Sequence, residues 1–316
     1  MSCLFSMAAC ALLLVLTTLY PAVCSQAVQS GLELCFTRAI PALFPFFVVS
    51  GLTIRCGLSD TLARLLAPVM RLYRLPSCGI SALLLGVLGG YPTGAQTIAE
   101  LMASGRCSHE DGARLVAFCN NTGPAFLIGM CGSGLFSSPR VGLYLYLTHL
   151  LSACLLGLLF RGGSRTAPLP SPAQPLPFAA CFTQSVLQAG KSMLCVSAFI
   201  LYFSVLLSLL SALGILPLLA GALAQLLPLP ADVLQAVLTG GIELTSGLAA
   251  LASCDASPLI RVSVCAGLCA FGGVSVLFQS SAAAPDLPFS RIFLGKLLHS
   301  VFCVALSLLL FPLCGL

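Results

Sequence analysis

The chain has 316 residues, of which 59% are hydrophobic and 7% charged, and its mean hydropathy is +1.07. Soluble domains carry about one quarter charged residues, so a soluble globular fold is excluded. The surplus of Lys and Arg, 14 against 9 Asp and Glu, reads as membrane topology and not as affinity for nucleic acid.

A helix needs roughly 20 apolar residues to cross the hydrocarbon core. No charged residue precedes Glu33, and uncharged runs follow from Leu75 to Ala99, Leu115 to Pro139, Val141 to Phe160, Ser192 to Ala231, Val262 to Pro285 and Leu297 to Leu316. None alternates apolar with polar, so closed barrels drop out. The expected fold class is an all-α polytopic membrane protein with about eight to ten transmembrane or half-spanning helices in two repeated halves, with discontinuous helices.

In chain order, residues 1–24 come first. They end in Ala22, Val23, Cys24 and Ser25, as a secretory signal would, but lack a basic n-region, so an N-terminal transmembrane helix is the reading taken. Residues 25–160 form a first repeat. Within it Arg55, Arg64, Arg71 and Arg74 accompany Leu62, Leu65, Leu66, Val69 and Leu72 at helical spacing, the pattern of an amphipathic interfacial helix. Residues 161–178 are a linker rich in Pro and Gly, and residues 179–316 form a second repeat.

The repeat is read from a recurring order. A Gln-Ser pair (Gln29 and Ser30; Gln184 and Ser185) precedes a long apolar helix, then Gly57-Leu58 or Gly214-Ile215. Next come Leu75-Pro76 or Leu229-Pro230, and finally Gly89-Gly90 or Gly240-Gly241. Such duplication is usual in secondary transporters, which hold substrate where the repeats meet.

Four interruptions carry the candidate chemistry. Gly90, Tyr91, Pro92, Thr93 and Gly94 break the run from Leu75 to about Met102, because proline removes a donor and glycine admits conformations closed to other residues. Asn120, Asn121, Thr122 and Gly123, before Pro124, break the next run. In the second half Glu243, Thr245 and Ser246 follow Gly240-Gly241, and Ser275 follows Gly272-Gly273. Backbone opened at such depth is tolerated only inside protein or beside a polar cavity, so these residues are the expected substrate site. The competing reading is that the glycines and prolines only kink helices and that Asn120 and Asn121 bridge neighbours.

Glu243 stands out, because an ionisable group at depth is costly and marks a coupling or pairing site. It either couples a proton or cation, pairs with Lys191 or Arg261, or sits near an interface and not at the midplane. Helix N-termini restarting at the breaks would favour an anionic solute. Arg38, Lys191 and Arg261 either add charge for that solute or snorkel to an interface. His149 and His299 read as isolated packing residues. The 17 cysteines form no CxxC pair, and Cys265 and Cys269, one turn apart, read as packing ahead of a metal pair. No nucleotide loop, HExxH or GxSxG is present, so neither an enzyme nor a cofactor is expected.

Gly90-Tyr91-Pro92-Thr93-Gly94-Ala95 and Arg114-Leu115-Val116-Ala117-Phe118-Cys119-Asn120-Asn121-Thr122-Gly123-Pro124 resemble the YlbJ-type sporulation integral membrane proteins, which carry the nucleoside-recognition, or gate, domain. The segment from Ile40 to Ser50 is similar to that family's opening, and Glu243-Leu244-Thr245-Ser246-Gly247 to its second acidic motif. The resemblance implies two gate-like repeats and a multi-pass protein of the mother-cell or outer forespore membrane. It further implies passage of dipicolinic acid, a small anionic solute, towards the forespore. Membrane lipids and other sporulation membrane proteins are the partners it implies. A non-transporting scaffold or gate subunit, and a nucleoside transporter, are the alternatives.

Overall fold

The computed structural model describes residues 2–162 and 177–315; most of the expected linker therefore lies outside the described residues. Those residues form helices and connecting turns, with no strand among them. Helix α1 (Ser2–Leu19) ends at Tyr20, because Pro21 opens α2 (Pro21–Leu34) at a position where its missing N–H is harmless. A π-helical turn (Cys35–Ala39) joins α2 to α3 (Ile40–Arg55), giving one continuous long helix.

Short helices follow: α4 (Leu58–Leu66), α5 (Val69–Tyr73), α6 (Gly79–Gly89), α7 (Thr93–Ala103) and α8 (His109–Cys119). A π-helix (Ala125–Leu135) and α9 (Pro139–Leu159) complete the first half. The second half contains α10 (Phe178–Ala212), α11 (Ile215–Ala224), α12 (Ala231–Ile242), α13 (Leu244–Ala252), α14 (Pro258–Phe271), α15 (Gly273–Ala283) and α16 (Phe289–Leu310).

Apart from α1 and α5, the two halves run through the same order of elements. Each has a long helix, a short helix introduced by a left-handed glycine, Gly57 at φ +81° or Gly214 at φ +73°, two short arms, a broken helix and a closing long helix. The left-handed turn requires glycine because a Cβ there meets the following carbonyl. By length and composition, five described helices suffice to cross a membrane and five shorter apolar ones accompany them. The protein is thus an all-α multi-pass membrane protein.

The basic amphipathic stretch is split in two, α4 and α5, with Leu65 and Leu72 exposed on it. The glycine-proline break at residues 90–92 does more than unwind a spanning helix. In a straight helix Gly86 and Gly94 would stand about 12 Å apart. Here a Cβ on Gly86 would lie 3.3 Å from Gly94 Cα. The chain therefore reverses, and α6 and α7 form a re-entrant hairpin. Gly240 and Gly247 meet in the same way, with a Cβ on Gly247 falling 2.1 Å from Gly240 Cα, so α12 and α13 make the second hairpin. Small residues on facing arms permit this approach.

The long helices, α2 to α3 and α10, pack on each other as one wall. Opposite stand the hairpins and broken helices, gathered around α16, which touches α8, α9, α14 and α15. The crossing of α16 with α8 is close, since a Cβ on Gly295 would lie 2.5 Å from Ala117 Cα.

Candidate functional site: a cavity where the four breaks meet

Between the long-helix wall and the breaks lies a narrow cavity of about 60 Å³, joined to a recess of about 480 Å³, so the usual range for small-molecule sites is reached only with the recess included. The long helices supply apolar side chains, Leu43 and Phe47 from α3 and Val196 and Ile200 from α10. The breaks supply Gly90, Tyr91, Thr122 and Gly123 from the first half and Glu243, Thr245, Ser275 and Gln279 from the second. One face is thus greasy and the opposite face rich in hydrogen-bonding groups. The recess adjoins it through Phe47, Tyr91, Val196 and Gln279, and is lined further by Arg55, Pro92, Thr93, Gln96, Glu100 and Lys191.

Glu243 is 3% exposed and sits between α12 and α13. Its Oε1 accepts the N–H of Thr245 at 3.0 Å and its Oε2 the N–H of Ser246 at 2.6 Å. The carboxylate thus fills the positive N-terminal end of α13. This corrects the expectation that every restarted helix offers its N-terminus to an anion: in the second hairpin the chain provides the anion itself. Glu243 forms no ion pair among the described residues. Arg261 donates to Ala252 O at 3.3 Å, and Arg38 to Gly134 O at 3.0 Å, so both satisfy carbonyls near the ends of helices. Lys191 lines the adjoining recess.

The expected site residues separate into groups. Gly90, Tyr91, Thr122, Gly123, Glu243, Thr245 and Ser275 face the cavity, and Pro92 and Thr93 face its recess. Asn120 and Asn121 face neither and are fully buried. Asn120 Nδ2 donates to Ser280 Oγ at 2.7 Å and Asn121 Nδ2 to Phe118 O at 2.8 Å, so the amides hold the break in shape. Gly94 packs beneath the Cys119 carbonyl, where a Cβ would approach the oxygen to 2.2 Å. Ser246 faces a separate recess bounded by α2 and α10. Asn120→Ala leaves Ser280 without its buried donor, which costs about 1–2 kcal/mol. The expected result is a lower melting temperature with no change in apparent solute affinity.

Three features escaped sequence reasoning. Lys296 on α16 is 1% exposed; its Nζ lies 2.8 Å from Tyr91 Oη and also donates to Asn120 O. Read along the chain it sits near a charged loop, yet seven residues into α16 puts it about 10 Å from the helix start. Gln279, one turn beyond Ser275, faces the cavity. His149 and His299 are not isolated: their rings lie 4.4 Å apart, His149 Nε2 accepts the Thr122 N–H at 3.1 Å, and His299 Nε2 lies 3.1 Å from His149 O. The histidine pair thus supports the break from behind.

Two clusters have the spacing to hold a metal: Cys131, Cys265 and Cys269, and His149, His299 and Cys303. The Cys131–Cys269 and Cys265–Cys269 sulfur separations are 3.8 and 4.0 Å, ordinary contacts between packed thiols. In the second cluster His149 Nε2 is already engaged by Thr122.

Across the breaks, Tyr91 Oη donates to Cys269 O at 3.1 Å and Thr122 Oγ1 to the same carbonyl at 2.7 Å. First-half hydroxyls thereby satisfy the carbonyl that the second broken helix leaves open. No family model matches the chain. It is, however, 29% identical over 320 residues to the sporulation integral membrane protein YlbJ of Bacillus subtilis strain 168, covering 92% of this chain and 78% of that protein. The chain is thus similar to a YlbJ-type integral membrane protein. The chain also shares its fold with solved structures of CNTnw, a CNT transporter. An intermediate state of a CNTnw variant aligns with TM-score 0.64 at 14% identity, covering 100% of this chain and 86% of that one. An inward-facing, substrate-bound state aligns with TM-score 0.61 at 14% identity, covering 97% and 84%. The fold is therefore transporter-like, with discontinuous helices.

Proposed function

We propose that this protein is a carrier that moves a small polar solute across a membrane of a sporulating cell. The observation that carries the reading is the convergence of all four breaks, two from each repeat, on one cavity walled by the long helices. The transporter-like fold and the sporulation relative support it. In this reading the hairpins and broken helices move against the wall formed by α2, α3 and α10, exposing the cavity to either side in turn. A long helix, a broken helix and a second long helix give each half three crossings, an odd number, which inverts the second repeat relative to the first.

Dipicolinate is the solute we assign. Arg55 and Lys191 in the adjoining recess suit an approaching dianion, and the planar ring suits Phe47, which the recess and the cavity share. Glu243 then requires a companion charge. An anion and a carboxylate together in a buried cavity repel strongly, so entry of the solute is coupled to a proton or cation that neutralises Glu243. The location that goes with this solute is the mother-cell or outer forespore membrane, among other sporulation membrane proteins.

A second reading, a nucleoside as solute, is favoured by one observation. The cavity itself is lined by Thr122, Thr245, Ser275, Gln279 and Glu243 without any basic side chain. Proteoliposomes that accumulate labelled dipicolinate should lose that uptake to excess pyridine dicarboxylate and not to excess uridine. Competition by uridine alone would reverse the assignment, and no uptake of either would point to a scaffold or gate subunit.

A further inference from the structure

Lys296 is a buried cation with no acidic partner among the described residues. Its ammonium is held by the Asn120 carbonyl, the Tyr91 hydroxyl and the face of the Tyr91 ring, 4.3 Å from the ring centroid. Asn120 directly follows α8, so its carbonyl belongs to the negative C-terminal end of a half-helix. Tyr91 passes the contact on to the Cys269 carbonyl near the end of α14. One ammonium thereby ties the first hairpin tip and the first broken helix to α16, and through Tyr91 to the second broken helix.

Carbonyls at the C-terminal ends of half-helices are where discontinuous-helix carriers coordinate a metal cation or proton. The oxygen donors at this break are of that kind. Asn120 Oδ1 and Asn121 Oδ1, buried at the same break, find no hydrogen-bond partner among the described residues. A free cation in the ammonium's place would meet the Asn120 carbonyl and the Tyr91 hydroxyl, hard oxygen donors suited to an alkali ion. The position is instead taken by a side chain whose stem descends from α16.

We propose that Lys296 is a tethered cation: its ammonium stands where a free monovalent ion would bind, so that the first-half break is assembled without sodium. Lys296 belongs to the same half of the chain as Glu243 but braces the first-half break, while Glu243 caps the second hairpin. The inference concerns the same core as the carrier reading, but its test is read on stability, so each can fail without the other.

The experiment is thermal melting of the purified full-length protein in chloride salts of choline, sodium and ethylammonium at equal ionic strength. The wild-type protein is expected to melt at the same temperature in all three. Lys296→Ala should melt lower in choline and recover by about 2 °C or more in sodium or ethylammonium, which fit the vacated oxygen cage while choline does not. Lys296→Met, which keeps the stem and loses the charge, carries the same comparison if the alanine variant does not accumulate. A saturable rise of the wild-type melting temperature with sodium would overturn the proposal, because a free ion would then bind beside the lysine. Variants that melt low in every salt would also overturn it, leaving Lys296 as a strut.

Discussion

Gly86→Ala should prevent the membrane core from assembling, whereas Gly241→Ala should leave it intact. The two glycines lie in corresponding arms of the hairpins, but their surroundings differ. A Cβ on Gly86 would fall 1.7 Å from the Cys119 carbonyl oxygen, and one on Gly94, across the hairpin, 2.2 Å from the same atom. The obstacle is backbone, at the place where α8 ends and the Asn120 break begins. A shift that relieved it would move the break itself. Overpacking costs about 1–3 kcal/mol where side chains can yield, and the expected cost here is at least about 3 kcal/mol because they cannot. A Cβ on Gly241 meets nothing within 4 Å, and alanine gains about 0.5–1 kcal/mol of helix preference there. Membrane abundance and melting temperature of the two variants, measured together, check this. A Gly86→Ala protein that accumulates and melts as the wild type does would mean that hairpin and broken helix do not interlock as described.

Glu243→Gln should cut solute flux more than tenfold, about 1.4 kcal/mol on the rate-limiting barrier, while leaving membrane abundance near normal. The glutamine keeps one acceptor for the α13 N-terminus and loses the charge. One of the two N–H groups of Thr245 and Ser246 is then less well satisfied, at a cost of about 1 kcal/mol. Glu243→Ala removes both acceptors and should lower the melting temperature as well, which separates capping from coupling. If Glu243→Gln transports at the wild-type rate, the carboxylate is a helix cap alone and the coupled-carrier account of it fails. Loss of abundance in Glu243→Gln would point the same way.

Much of this follows from composition and spacing. The absence of charge over runs longer than a bilayer, the two Leu-Pro entries and the paired glycines were enough to expect broken helices at matched places. A proline or glycine interruption acts on its own backbone, so it is visible in the local sequence. The cavity residues Tyr91, Thr122, Glu243 and Ser275 were found because each sits on such an interruption.

What the sequence could not supply is the partner of each group. Asn120 and Glu243 both read as solute contacts, since a buried polar side chain demands a partner whose identity depends on which helix packs beside it. In the fold Asn120 meets Ser280 and lies away from the cavity, while Glu243 borders the cavity and caps α13. Lys296 and the His149–His299 pair were passed over for the same reason. Charge in the chain is local, but depth is set by the tilt and neighbours of α16.

The sequence by itself determined that this protein crosses a membrane in two like halves and where its helices break, because those are properties of continuous stretches of chain. Only the tertiary structure decided that two of the breaks are hairpin tips and two interrupt broken helices. The same backbone chemistry permits either, and the choice rests on which glycines face each other, Gly86 with Gly94 and Gly240 with Gly247. It likewise decided that the four breaks share one cavity and that Lys296 braces the break at Asn120, since these are contacts between residues far apart in the chain.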